Sequence, residues 1–453
     1  MREHVKDAPH LCFPGIAPTI GDAAIGQSIL QALKARTRLP IRVLTPRPDI
    51  FRALPELDDA DIVRTPLPPV PLPAVRTPAL PFRLRRLLTD LRTTGGAHTL
   101  PHAVYAEMRD TLEGCAAVVI QGGPNWTDRM LNRRKVLERW LFLEAAHAYG
   151  CRIYHVGVSC GPFAWGWPDR LWMAPLTRRA LDCHDILFVR DGFSRPALHR
   201  LGVSTRIVES TDAAVFLKSR PDPAYADIER RIQAHSSRPR VVVCTRDYQP
   251  AYPEALRVRH EVYAGLARVL DHVQRELADV FFLSTDHTPQ PHKRTDVEVA
   301  RTLRSLMRTP GSVLIDVEVR NPSALKHLYG RFDAMISMRL HPTVLALDHG
   351  VPCLLLSYDA KCDDFFTRLD LGEYVVPLAA FRPNEALDCI NRMLCDEGLR
   401  HRITGRYAAL RRAHASDWEP MYEQIAWRAR QLAARSQGTQ TGAEPRRIRV
   451  SRG

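Results

Sequence analysis

Arg339 and His341 stand two residues apart in Ile336-Ser337-Met338-Arg339-Leu340-His341-Pro342, between an apolar strand-like run and the apolar helix-like run from Thr343 to Leu347. A cation and an imidazole at such a junction hold an anion and move a proton. Val189-Arg190-Asp191-Gly192-Phe193-Ser194 is a second junction, where Arg190 either clamps a carboxylate or phosphate through two nitrogens or pairs structurally with Asp191. A third, Ile20-Gly21-Asp22-Ala23-Ala24, opens a helical run carrying Ile25, Ile29 and Leu33. Gly21 permits close backbone approach, and Asp22 either caps the helix or faces a ligand hydroxyl. Gln121-Gly122-Gly123-Pro124-Asn125 reads as a tight turn whose bare N–H groups can meet a phosphate or sugar, and Gly157-Val158-Ser159-Cys160-Gly161-Pro162 as another. Neither is a P-loop or a dinucleotide fingerprint. Asp286, His287 and His292 are of metal-ligand type but read as a solvated turn.

Short apolar strands must deliver these residues. They are predicted at Ile41 to Leu44, Ala116 to Ile120, Arg152 to Val158, Ile186 to Val189 and Arg206 to Glu209. After an interruption between Lys218 and Arg238, the rhythm resumes at Val241 to Thr245, Val280 to Ser284, Val313 to Ile315, Ala334 to Ser337 and Cys353 to Ser357. Apolar runs alternating with amphipathic helices such as Arg133 to Tyr149 imply parallel sheets covered on both faces. Ligands then bind beyond the carboxyl ends of the strands, where the four junctions lie. The organisation expected is an α/β domain over 1–220, a second over 238–380, helices over 384–434 and a disordered basic tail over 436–453. Seven prolines between Thr65 and Pro81 predict an extended loop there.

At 453 residues and 45% hydrophobic content, the chain has room for two or three cored domains. No run of about 18 uncharged apolar residues occurs, and the charged start MREHVKDAPH is unlike a signal peptide. Ten scattered cysteines without a C-x-x-C pair predict reduced thiols in the cytoplasm. The net charge is +14, from 64 basic against 50 acidic residues. Twelve arginines against four acids between 400 and 453 supply +8, and five arginines against Asp90 between 76 and 92 supply +4, leaving +2 for the body. That distribution argues against a nucleic-acid groove, which needs a continuous cationic face. The basic margins are either solvated surface or a contact with an anionic surface, including peripheral attachment at the inner face of a membrane.

Taken in order, Ile20-Gly21-Asp22-x-Ala24-Ile25, Gly122-Gly123, Gly157-x-x-x-Gly161-Pro162, Arg190-Asp191-x-x-Ser194, Thr211-Asp212-x-x-x-Phe216, Ser337-Met338-Arg339-Leu340-His341, Gly350-Val351-Pro352 and Tyr358-Asp359-x-Lys361 resemble the polysaccharide pyruvyl transferase family. The resemblance runs from about Pro14 to Tyr374. It implies two Rossmann-like domains arranged as in B-type glycosyltransferases, with the active site in the interdomain cleft, the acceptor on the amino-terminal side and the donor on the carboxyl-terminal side. It also implies transfer of the pyruvyl group of phosphoenolpyruvate to two hydroxyls of a saccharide or lipid-linked saccharide, forming a cyclic ketal and releasing phosphate.

On that resemblance Arg190 and Arg339 bind the donor's carboxylate and phosphate, flanked by Asp191 and Leu340, and Lys361 adds positive potential. His341 protonates the enol carbon, Asp22 orients or deprotonates the acceptor hydroxyl, and Gly21, Gly122 and Gly123 offer backbone contacts. No metal and no cofactor beyond the donor is called for. Pro18-Thr19, Pro124 and Ser159 depart from the family pattern, all on the acceptor side. Two other functions fit the same sequence: a glycosyltransferase using a nucleotide sugar on the same scaffold, and a non-catalytic scaffold bound to anionic surfaces.

Overall fold

The computed structural model describes residues 9–15, 19–57, 62–63, 80–94, 96–100, 102–127, 131–167, 169–235, 237–247, 255–288 and 294–439. Residues 65–79 of the proline-rich segment, Pro18, His292 and residues 440–453 lie outside the described residues. Pro81 falls in the first turn of a helix, Leu80–Thr94, where proline's fixed φ and missing N–H cost nothing.

Two parallel sheets form the protein. The first runs β3 (Ile62–Val63), β2 (Ile41–Leu44), β1 (His10–Pro14), β4 (Cys115–Trp126), β5 (Arg152–Cys160), β6 (Ile186–Val189), β7 (Arg206–Glu209). The second runs β10 (Val313–Ile315), β9 (Asp279–Leu283), β8 (Arg240–Cys244), β11 (Ala334–Ser337), β12 (Cys353–Ser357), β13 (Val375–Pro377). Their strands are apolar and buried on both faces, as Val241, Val242 and Val243 illustrate, because helices cover each side. In each sheet the chain starts centrally, winds outward to one edge and returns to the other side of its first strand. This places a topological switch between β1 and β4, and another between β8 and β11.

The helices Ile20–Arg36, after β1, and Leu340–Leu347, after β11, begin at these two switches and touch each other. Helix Ile20–Arg36 is buried along most of its length because it lies between the halves, and its polar side chains are satisfied across the junction. Gln27 donates to Asn321 at 3.2 Å and accepts from the Ser323 N–H at 3.0 Å, while Gln31 donates to the Ser323 hydroxyl at 3.2 Å. Lys326, fully buried, donates to the Leu217 carbonyl at 2.5 Å and pairs with Asp348 at 2.6 Å. The last helix, Glu419–Thr439, returns to the first sheet, where Gln424 accepts from the Tyr154 hydroxyl at 2.9 Å. One apolar core therefore runs through both halves, and a second lies under the helices Leu80–Thr94, Arg133–Ala148 and Asp169–Asp182.

The structure corrects several sequence expectations. The turn expected at Gln121 to Asn125 is continued strand, since β4 runs to Trp126 and Gly123 pairs with Val158. Likewise β5 extends to Cys160, and Gly157 lies within it at φ +72°. Strands β1, β3 and β13 are too short or too interrupted by His and Pro to stand out in sequence. Helix Glu419–Thr439 runs past Ser436, where the tail was expected to begin.

Candidate active site

His341 is the second residue of helix Leu340–Leu347, and its ring stands between two carboxylates from the first half. Nδ1 is 4.0 Å from Asp22 Oδ1 and Nε2 is 3.7 Å from Asp212 Oδ2. These are ion-pair distances beyond hydrogen-bonding range, and Nε2 is buried without a hydrogen-bond partner. Any side chain at Gly21 would intrude here, since an added Cβ would lie 2.8 Å from His341 Cβ and Nδ1. Gly21 thus serves the close approach of the two helices. The capping role considered for Asp22 belongs to Thr19, whose hydroxyl accepts from the Asp22 N–H at 3.2 Å and donates to its carboxylate at 2.8 Å.

Asp212 was not singled out as a site residue from the sequence, although it lies just past β7. It caps the short turn Ala213–Phe216, accepting from the Ala214 N–H at 2.9 Å and from Arg190 Nη1 at 2.6 Å. Burial pushes its pKa up, but the Arg190 guanidinium and His341 outweigh that and hold it well below the usual carboxylate range. Arg190 is buried too, with Nε donating to the Ser159 hydroxyl at 2.8 Å. Asp191 ties off helix Ser194–Leu201 by accepting from the Ser194 N–H at 3.1 Å and from its hydroxyl. Burial raises the Asp191 pKa more than these partners lower it. Ser159, Arg190, Asp212, His341 and Asp22 therefore form one polar chain across the junction.

Beside it, Arg339 Nη2 donates to Asp286 at 3.1 Å and to Asp296 at 2.6 Å, while its Nε is buried without a partner. Burial lowers the Arg339 pKa, but those two carboxylates raise it further, so it stays cationic. Asp286 is thus a buried partner of Arg339 and not part of a solvated turn. Arg246, just past β8, lies 3.9 Å over the Tyr358 ring and meets no carboxylate among the described residues. Lys361 Nζ lies 5.7 Å from the same ring and 3.6 Å from Asp359. Arg246, Asp286 and Asp212 all follow strands closely, so the rule that ligands bind beyond carboxyl strand ends would have found them.

Gly122 and Gly123 lie in the sheet. A Cβ on Gly122 would fall 2.1 Å from the Gly157 carbonyl oxygen, and Gly123 has φ +137°. Gly122 lets β4 and β5 approach, and Gly123 holds a backbone conformation that other residues rarely adopt. At the carboxyl ends of β1, β2 and β4 is a cavity of about 320 Å³, lined by Pro14, Leu44, Trp126, Arg139, Phe142 and His155 among others. Arg139 donates to the Asn125 carbonyl and lies 5.2 Å from the Trp126 ring centre; burial pushes its pKa down to about 10.

The model of the family described as polysaccharide pyruvyl transferase matches residues 20–360, most of the chain, and takes in Asp22, Arg190, Asp212, Arg339 and His341. The chain belongs to the polysaccharide pyruvyl transferase family. The chain is 21% identical over 246 residues to the amylovoran biosynthesis protein AmsJ of Erwinia amylovora, spanning 53% of its own length and 58% of that relative's. In fold it is similar to the UDP-GlcNAc 2-epimerase of Neisseria meningitidis, with TM-score 0.54, 12% identity, and 92% of this chain and 99% of that chain covered. It is also similar to a UDP-glucosyltransferase of Polygonum tinctorium, with TM-score 0.51, 14% identity, and 92% and 99% coverage. The fold is thus the two-domain Rossmann-like arrangement of B-type glycosyltransferases and epimerases. No helix among the described residues is long and apolar enough to cross a membrane.

Proposed function

We propose that the protein transfers the pyruvyl group of phosphoenolpyruvate to two hydroxyls of a saccharide, forming a cyclic ketal and releasing phosphate. The observation that carries this reading is His341 held between Asp22 and Asp212 at the meeting of the two switch points. Arg339, fixed through Nη2, offers its Nε to the donor's anionic oxygens, and Arg246 offers a guanidinium that meets no carboxylate among the described residues. Lys361 adds potential from the next strand end. Arg190 acts through Asp212, keeping that carboxylate ionised beside His341.

Protonated His341 gives its proton to the methylene carbon of the enol, leaving an oxocarbenium-like centre at the adjacent carbon. One acceptor hydroxyl adds there while Asp22 takes its proton. The second hydroxyl displaces phosphate, which leaves with the second hydroxyl's proton, so one proton ends on carbon and one on phosphate. The cavity beside Arg139 lies on the acceptor half and has room for part of a sugar.

Incubation of the protein with phosphoenolpyruvate and a saccharide pool is expected to release inorganic phosphate and yield the pyruvyl ketal by mass spectrometry. His341→Gln is expected to slow release by about 10² to 10⁴-fold with an unchanged melting temperature. Arg246→Met is expected to raise the donor KM more than it lowers kcat. Full activity in the His341 variant sinks its role as acid. Thermal stabilisation by nucleotide sugars and none by phosphoenolpyruvate replaces this reading with that of a glycosyltransferase.

A further inference from the structure

Three helices, Leu80–Thr94, Arg133–Ala148 and Asp169–Asp182, lie side by side over the second core of the first half. The latter two are the crossovers from β4 to β5 and from β5 to β6, so both begin at the carboxyl edge of the sheet, and an Arg133–Asp169 pair at 2.5 Å joins their first turns. On that edge Trp167 is 80% exposed, Leu171 56% and Trp172 55%. Large apolar side chains turned to water so close together mark a contact surface. In the segment just before Trp167, Phe163 and Trp165 pair their rings, 5.3 Å between centroids, against the second core.

The surrounding charge is of one sign in excess. Arg133, Arg134, Lys135 and Arg170 lie on the same first turns, against Asp169 and Glu138. Arg170 meets no carboxylate among the described residues. Arg85 and Arg86 are exposed on the neighbouring helix Leu80–Thr94. Two copies of this surface set face to face would bring cations against cations, which disfavours self-association. Indoles seated at headgroup level with arginines among anionic headgroups are what a bilayer surface selects.

We propose that this edge docks the protein on the anionic face of a lipid bilayer, through Trp167, Leu171 and Trp172 with Arg134, Lys135 and Arg170. Asp22 and Asp212, which flank His341, follow strands of the same sheet at that carboxyl edge, so docking brings the site to where a lipid-linked acceptor is presented. The docking stands on the surface alone and is independent of the donor's identity.

The full chain is to be sedimented with vesicles of phosphatidylcholine, with and without an equal part of phosphatidylglycerol. It is expected to bind the mixed vesicles, to bind pure phosphatidylcholine weakly, and to be released by salt. The combined variant Trp167→Ala, Leu171→Ser, Trp172→Ala is expected to lose about tenfold or more of its partitioning at an unchanged melting temperature. No sedimentation of the unaltered chain, or equal sedimentation of the variant, overturns the proposal. So does loss of binding on removing residues 440–453 while the variant still binds, which assigns the contact to the basic tail. A dimer of the unaltered chain that the variant dissociates, with neither sedimenting, makes the patch a self-interface instead.

Discussion

Asp212 is the residue on which the polar chain turns, because it touches both Arg190 and His341 while almost wholly buried. Asp212→Asn takes from the buried Arg190 guanidinium the carboxylate it donates to, leaving it the more indirect charges of Asp191 and Asp22. Removing one member of a buried pair costs about 3 kcal/mol or more, and the loss is expected as a lower denaturation midpoint together with slower phosphate release. Gly21 is the opposite case, a residue important for what it lacks. Gly21→Ala is expected to push the His341 ring from its place and lower kcat by about 10²-fold while leaving the donor KM nearly unchanged, since Arg339 and Arg246 are held by Asp286, Asp296 and Tyr358 and not by Gly21. Steady-state kinetics with phosphoenolpyruvate as varied substrate separate these effects, and an unaltered kcat removes the packing argument.

Among elements, strands β4 and β5 show how a glycine pattern is misread. Glycine pairs after an apolar run suggest a phosphate turn, yet here they allow two backbones to close on each other. Gly122→Ala sets a Cβ against carbonyl oxygens of β5 that cannot move without breaking the sheet, and a destabilisation of about 3 kcal/mol or more is expected by chemical denaturation. A variant as stable as the unaltered chain returns the glycines to ligand binding. The longer strands were legible from their apolar runs, because burial on both faces leaves no polar side chains to blur the pattern. Strand β1 was not, though it is central to the first sheet, because His10 and Pro14 bracket only three apolar residues.

At the scale of the whole molecule, the second core carries a titratable liability. Burial holds His184 neutral, with its pKa pushed down to about 4, and its ring stacks on His155, which burial and His184 depress as well. The folded state therefore takes up fewer protons than the unfolded chain between about pH 6.5, the ordinary histidine value, and about pH 4. Stability is flat above that window and falls within it by about 3 kcal/mol from His184 alone. Denaturation midpoints measured from pH 7.5 downward are expected to show this loss, and His184→Gln to reduce it; an unchanged acid slope in that variant rejects the assignment.

The sequence by itself determined the alternating α/β architecture, the placing of Arg339, His341 and Asp22 at the starts of helices and that of Arg190 at the end of a strand, since period and punctuation are local properties of the chain. It also separated the near-neutral body from its basic margins. Only the tertiary structure decided that Asp212 and Asp22 flank His341, that Arg339 is anchored by Asp286 and Asp296, and that Arg246 lies over the Tyr358 ring. Those pairings join strand ends from different sheets or distant parts of one sheet, and no local pattern of residues records which ends will meet.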